Sequence, residues 1–338
     1  MPDVFELGYV YARVSGAISK SFLGAKALPL TKPSRAADLW RIVFRDTPPA
    51  LPETILIAQA ERRRTAQALA QFRKLVDDLE APEPFFIALR RKAEFGYVKR
   101  ILLHAKRHAP RGELPPNDDP SLEASYDIDK YPDLDSMFSK GRYSWIDESA
   151  LADLPETENR LDRQFYTELW KEAQAISPSK AAAIPRLIRE EAELQNLVWA
   201  LRLKRYYRME ASEIEARLID LKGIDIKRDA LTAITLRQDH REDWKAWAYE
   251  SLLGGEAGRL DSWLFDVRDF ERAAHRRLYS SVRRALRLEP FSYTPLYCFF
   301  KLKEYETAAV LGAFEAARLG APPEETAAFL LGITGGTL

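Results

Sequence analysis

Glu190-Glu191-Ala192-Glu193-Leu194-Gln195-Asn196-Leu197-Val198-Trp199-Ala200-Leu201-Arg202-Leu203-Lys204-Arg205-Tyr206-Tyr207-Arg208 decides how the rest of the chain is read. Leu194, Leu197, Val198 and Leu201 fall at i, i+3, i+4 and i+7, one apolar stripe of an α-helix. Trp199, Leu203 and Tyr206 form a second stripe on the far side. A helix apolar on two sides packs between neighbours rather than on a surface. Glu193 and Asn196 stand on the edge between the stripes, three residues apart, so they can meet or reach a common neighbour. Asn196 needs partners in a packed site, because an unmatched buried amide costs roughly 1–3 kcal/mol.

Two further stretches share the pattern. Glu94-Phe95-Gly96-Tyr97-Val98 lies upstream and Glu304-Tyr305-Glu306-Thr307-Ala308 downstream. Glu94, Glu193 and Glu304 are separated by 99 and 111 positions, which points to three copies of one helical module. Nineteen residues after Glu193, Ser212 with Glu215 reads as a capping box opening a second helix. Nineteen residues after Glu304, Pro323 with Glu324 and Glu325 reads as a proline-started helix. The first copy carries a Pro- and Asp-rich segment at that place instead.

Other segments follow from punctuation. A mostly apolar segment from Leu7 is expected to be helical to about Leu23, and a short helix is expected near Ala36–Phe44. Long helices are predicted over 54–79, 85–109 and 151–176, and over 258–288 with Pro290 after it. Shorter ones are predicted over 212–221, 229–236 and 242–253, the last ending at Gly254-Gly255. The stretch 110–132 reads as a loop. No alternating strand run is found, so the predicted class is all-α. The expected modules are 1–122, including the N-terminal segment and the Pro-rich loop, then 123–228 and 229–338.

The charge balance is even, with 51 Lys+Arg against 51 Asp+Glu, which argues against a nucleic-acid binder. Locally it is not even. Residues 1–112 carry 20 basic and 11 acidic side chains, and residues 113–159 carry 3 and 13. The acidic stretch is then a surface loop, or it meets a basic partner, or it folds back on the basic module. Cys298 is the single cysteine, so no disulfide can form within the chain, and its apolar neighbours make it a core residue. Asp3 and Glu6 stand where a signal peptide would be basic, and no run of 18 apolar residues exists.

Candidate chemistry is thin. His104 and His108 have the i, i+4 spacing of a metal pair, but basic residues lie between them and no Glu does. Asp77-Asp78-Leu79-Glu80 ends in Ala81-Pro82 and reads as a solvated helix end rather than a diphosphate motif. Gly254-Gly255-Glu256-Ala257-Gly258 has neither a strand before it nor Lys-Ser/Thr after it, so it cannot form a phosphate cradle. No catalytic, cofactor-binding or metal-ligating residue is assigned.

The chain resembles the C-type subunits of the bacterial and archaeal V/A-type rotary ATPases, whose counterparts in eukaryotic V-ATPases are the d-type subunits. The likeness is carried by Glu193-x-x-Asn196-Leu197, Tyr9-Val10-Tyr11-Ala12-Arg13-Val14, Lys303-Glu304-Tyr305-Glu306 and Ala321-Pro322-Pro323-Glu324-Glu325. Tyr97 and Thr307 stand where the family motif has Asn, and Val98 and Ala308 where it has Leu. The resemblance implies three similar helical modules in a pseudo-three-fold funnel. It implies a non-catalytic central-stalk component that couples the shaft of a soluble head to the membrane proteolipid ring for ion transport. Its partners would be the central-stalk shaft subunits and that ring, with no nucleic acid and no membrane span. It would sit peripherally on the cytoplasmic face. An all-α scaffold or adaptor unrelated to rotary ATPases fits the same composition.

Overall fold

A computed structural model describes residues 4–107, 114–117, 124–253 and 265–334. Among the described residues thirteen α-helices follow one another: α1 (Val4–Ser19), α2 (Ala36–Phe44), α3 (Glu53–Val76), α4 (Pro84–Arg107), α5 (Leu134–Met137), α6 (Leu154–Ala175), α7 (Pro178–Ala181), α8 (Ala183–Tyr207), α9 (Ala211–Arg217), α10 (Arg228–Ala233), α11 (Val267–Leu288), α12 (Thr294–Leu319) and α13 (Pro323–Thr334). Short 3-10 turns fill several connections, and the chain is all-α: among the described residues the only β pairing is an isolated Leu221–Ile224 bridge.

Three long pairs dominate: α3 with α4, α6 with α8, and α11 with α12. Local chemistry sets their ends. Asp153 accepts a hydrogen bond from the Glu156 N–H to open α6, and Asp266 from the Arg268 N–H to open α11. Pro295 in its first turn starts α12, and Gly320 closes it at φ 67°, a left-handed geometry that glycine adopts without strain.

The first helix of each pair packs along the second helix of the pair before it. Thus α6 lies on α4 and α11 on α8, while α3 lies on α12. The first and last pairs are therefore tied together, and the contacts close a cycle. An ion pair marks each seam, and aromatic rings meet at two of them. Phe95 meets Phe165 and Lys99 meets Asp162 between α4 and α6. Glu190 accepts from Arg277 and Ser281 between α8 and α11. Phe72 meets Phe300, and Arg64 meets Glu306, between α3 and α12. One large apolar core runs through all three pairs, and a smaller one lies under α2, α3, α12 and α13.

Leu194, Leu197, Val198 and Leu201 are buried as the first stripe of α8 requires. The second stripe is not packed along its length: Trp199 and Leu203 are half-buried and Tyr206 is 58% exposed. The helix runs past its neighbours there, and Trp199 and Leu203 line a surface groove with Tyr207 and Met209.

Several predicted boundaries differ. The turn opening α9 is held by the Glu210 N–H donating to the Glu213 side chain, so the helix starts one residue before Ser212. Residues 242–253 form two 3-10 turns rather than a helix. Trp244 and Trp247 are buried there, with their indole N–H groups donating to the carbonyls of Arg237 and Asp229, and these tertiary bonds override the local helical pattern. The last long helix begins at Val267 rather than Gly258; the glycine-rich 254–258 stretch and His108 lie outside the described residues.

The described part of the acidic segment folds back onto α4 through backbone, serine and aromatic contacts. The Ser125 N–H donates to Glu94 at 2.8 Å, and the Ser125 hydroxyl accepts from Arg91 and Arg142. Tyr126, Phe138 and Tyr143 pack their rings together, and Tyr143 meets Phe95. Asp127, Asp129, Asp133 and Asp135 stay exposed; Asp127 and Asp133 cap their own turns.

Candidate functional site

The second helices of the three pairs, α4, α8 and α12, meet around a central concavity. Glu94, Glu193 and Glu304 each stand ten residues after the first residue of their helix, Pro84, Ala183 and Thr294. Two adjoining hollows lie in this concavity, one of about 380 Å³ between α3, α4 and α12 and one of about 330 Å³ between α4, α6, α8, α11 and α12, and Lys92, Glu304 and Ala308 line both. Further along, Arg100 and Leu311 share the first hollow, and Val198 and Ala308 the second. The helices therefore advance together and run parallel.

Charges gather at the floor. Lys92 Nζ lies 2.7 Å from Glu304 Oε1 and 3.9 Å from Glu191 Oε1. Lys301 Nζ donates to Glu191 at 2.8 Å and also pairs with Glu304. Glu191 accepts two more bonds, from the Tyr166 hydroxyl at 2.8 Å and the Tyr297 hydroxyl at 3.2 Å. Two lysines and two carboxylates thus link α4, α8 and α12 with no net charge, and tyrosines satisfy the remaining lone pairs of Glu191.

The electrostatics keep Glu191, Glu304 and Lys301 ionised. Burial pushes the Glu191 carboxyl up, but the Lys301 and Lys92 charges outweigh it and hold the group down at about 2. The same balance lowers Glu304. Burial works against the Lys301 cation, but the two carboxylates raise its pKa above the ordinary lysine range. Burial and then the Glu191 charge push the hydroxyls of Tyr166 and Tyr297 well above their usual value, so they remain donors. Glu191, Glu304, Lys301 and the two tyrosines are all shifted away from neutral pH, opposite to what proton-transfer catalysis would need. His275 on the cavity wall is lowered, chiefly by burial, and is neutral at pH 7. Among the described residues no three His, Cys, Asp or Glu side chains are grouped to hold a metal ion. The arrangement is suited to tying helices together.

Of the residues singled out in the sequence, only Glu304 enters this cluster. Glu94 is buried and holds the returning backbone at Ser125, with Arg91 at 3.1 Å. Glu193 pairs with Arg189 and accepts from the Tyr249 hydroxyl, and it does not meet Asn196. Asn196 is fully buried. Its Oδ1 accepts from the Ile219 N–H at 2.7 Å, and its Nδ2 donates to the carbonyls of Ile219 and Ile226. Leu197 is core. In α12 Glu306 accepts from the Phe22 N–H at 3.0 Å. A buried polar side chain on each inner helix therefore grips an irregular segment that returns to it.

Sequence reasoning misses Lys92, Glu191 and Lys301. A signal for two of them exists in the sequence. Glu191 continues the stripe of Leu187, Leu194 and Val198 at spacings of three and four, and Lys301 interrupts the apolar run Phe299-Phe300-Lys301-Leu302. A charge on an apolar stripe marks a buried, paired group.

Among the described residues no helix is long and apolar enough to cross a membrane. An uncharacterized protein of Treponema pallidum (strain Nichols) is 25% identical over 323 residues, covering 92% of this chain and 92% of that protein. A family model described as ATP synthase (C/AC39) subunit matches residues 50–329, which include all three long helix pairs and the whole charged cluster. The chain belongs to the ATP synthase (C/AC39) subunit family.

Proposed function

We propose that this chain is the non-catalytic central-stalk subunit of a V/A-type rotary ATPase. In that role it couples the rotating shaft of the soluble head to the membrane proteolipid ring and so serves ion transport. The observation that carries the reading, beside family membership, is the closed cycle of three helix pairs around a central concavity. We read the three pairs as three modules, close to 1–122, 123–228 and 229–338, in a pseudo-three-fold funnel. A spacer under torque has to resist shear between its parts. From α4 through α6, α8, α11 and α12 to α3 each long helix is packed on the next, Phe72 meets Phe86 between α3 and α4, and charges at the centre join the three inner helices. The concavity would take the foot of the shaft, and the opposite end would rest on the proteolipid ring, at the cytoplasmic face and peripheral to the bilayer.

Purifying the tagged chain from membranes in mild detergent tests this. Shaft subunits and the proteolipid ring are expected to come with it, together with ATPase activity supplied by the head. Recovery of the chain free of both would sink the reading and leave a helical adaptor as the better account.

A further inference from the structure

Beside the central concavity, α1, the end of α2, α3 and α12 line an open cleft of about 540 Å³ that shares Lys303 with the first hollow. Five cations line it, Arg13, Lys20, Arg45, Arg64 and Lys303, against the single carboxylate of Glu306. Arg13 is paired with Asp78, so three positive charges remain in excess.

The inner part is built and buried. Arg64 is 8% exposed; its Nη2 lies 3.0 Å from Glu306 Oε2, and its buried Nε–H donates to nothing. Lys303 is also buried and donates to Glu306 at 2.7 Å and to the Ser21 hydroxyl at 3.0 Å. One carboxylate thus serves two cations and the Phe22 N–H. At the rim, Lys20 and Arg45 are exposed, and neither has an ion-pair partner among the described residues. Arg45 is the C-cap that ends α2, its N–H donating to the Arg41 carbonyl, and it holds φ at 59°, a left-handed helix-end geometry that glycine would take freely. Ala17, Phe22, Ile42 and Val43 supply an apolar wall.

We propose that this cavity binds a phosphate-bearing organic anion, its phosphate between Lys20, Arg45 and Arg64 and its carbon body against Phe22, Ile42 and Val43. A phosphate brings up to two negative charges and several acceptor oxygens on one centre, which matches three excess cations and the free Arg64 Nε–H. The guanidinium fork suits phosphate oxygens better than a point charge does. The volume is in the range of small-ligand sites. The inference does not depend on the stalk role, since its cations and apolar wall belong to this cleft, which shares only Lys303 with the first central hollow.

A phosphate group can come from a soluble compound or from a lipid headgroup, and two probes separate these. The first is pyrophosphate, titrated into the full chain by calorimetry against chloride at matched ionic strength. The second is co-sedimentation with phosphatidylcholine vesicles with and without phosphatidic acid. The variant is the double substitution K20Q/R45G, which leaves Arg64, Lys303 and Glu306 untouched. Because glycine relieves the positive φ, its melting temperature is expected to equal or exceed that of the natural chain. Saturable binding of pyrophosphate, weakened about tenfold or more in the double variant, is the expected result. Sedimentation that requires phosphatidic acid and fails in the variant assigns the phosphate to a lipid; pyrophosphate binding without sedimentation assigns it to a soluble compound. Binding of neither probe at about 1 mM phosphate groups, or binding equal in the double variant, overturns the proposal.

Discussion

Replacing Glu191 by alanine is expected to lower the folding stability by about 3–5 kcal/mol, the cost of removing one partner from a buried ion pair. Glu191 takes bonds from Lys301, Tyr166 and Tyr297, and Lys92 stands 3.9 Å away. Truncation leaves Lys301 buried with Glu304 alone and orphans two tyrosine hydroxyls. It also cuts α8 out of the charged cluster that links it to α4 and α12. Urea denaturation at neutral pH reads the loss directly, and a change below about 1 kcal/mol would show the cluster to be no more than surface pairing. The effect carries a pH signature. In the folded chain the Glu191 carboxyl is held at about 2, below its ordinary value of 4.5. A depressed carboxyl contributes stability that is present above the unfolded value and lost as pH falls through the folded one. The difference between natural chain and variant is therefore expected to be full at pH 6 and above, and to shrink as pH falls from about 4.5 towards about 2.

Asn196→Leu is expected to destabilise by about 3 kcal/mol or more, although leucine fills nearly the same volume. The amide serves three backbone groups, the N–H and C=O of Ile219 and the C=O of Ile226, and none can reach water beside a fully buried side chain. A leucine leaves all three without that partner, each at roughly 1–3 kcal/mol. Asn196→Asp separates shape from hydrogen bonding. It keeps an acceptor for the Ile219 N–H but turns a carboxylate oxygen towards two carbonyls. Its carboxyl is then easier to ionise in the unfolded chain, so this variant is expected to gain stability as pH falls, opposite in sign to the Glu191 contribution. Thermal melts across pH of both variants test this. Wild-type-like melting of Asn196→Leu would mean that residues 219–226 are held by something else.

The helices are legible where local chemistry sets them. Ala36–Phe44 and the proline-started α13 lie where the sequence puts them, because caps, prolines and apolar spacing act within a few residues. The helical pattern of residues 242–253 misleads because Trp244 and Trp247 are placed by carbonyls of Arg237 and Asp229, a demand outside any helical period. Asn196 is legible as a buried amide needing partners, but not the partners, which lie 23 and 30 residues on in irregular backbone. The charged centre is least legible. Lys92, Glu191 and Lys301 come from three helices, and which charge faces which is decided only when those helices run side by side. The search for a repeated Glu settles on Glu193, two residues from the carboxylate that enters the centre, and Glu193 instead faces Arg189 and Tyr249.

Deleting the gene and assaying isolated membranes tests the coupling role most directly. On the proposed non-catalytic role, the catalytic head is expected to keep its ATP hydrolysis without this chain. The head should wash off the membranes at salt concentrations that leave the natural complex attached, and ATP-driven ion pumping should be lost. A membrane-bound ATPase that pumps normally in its absence would contradict the account.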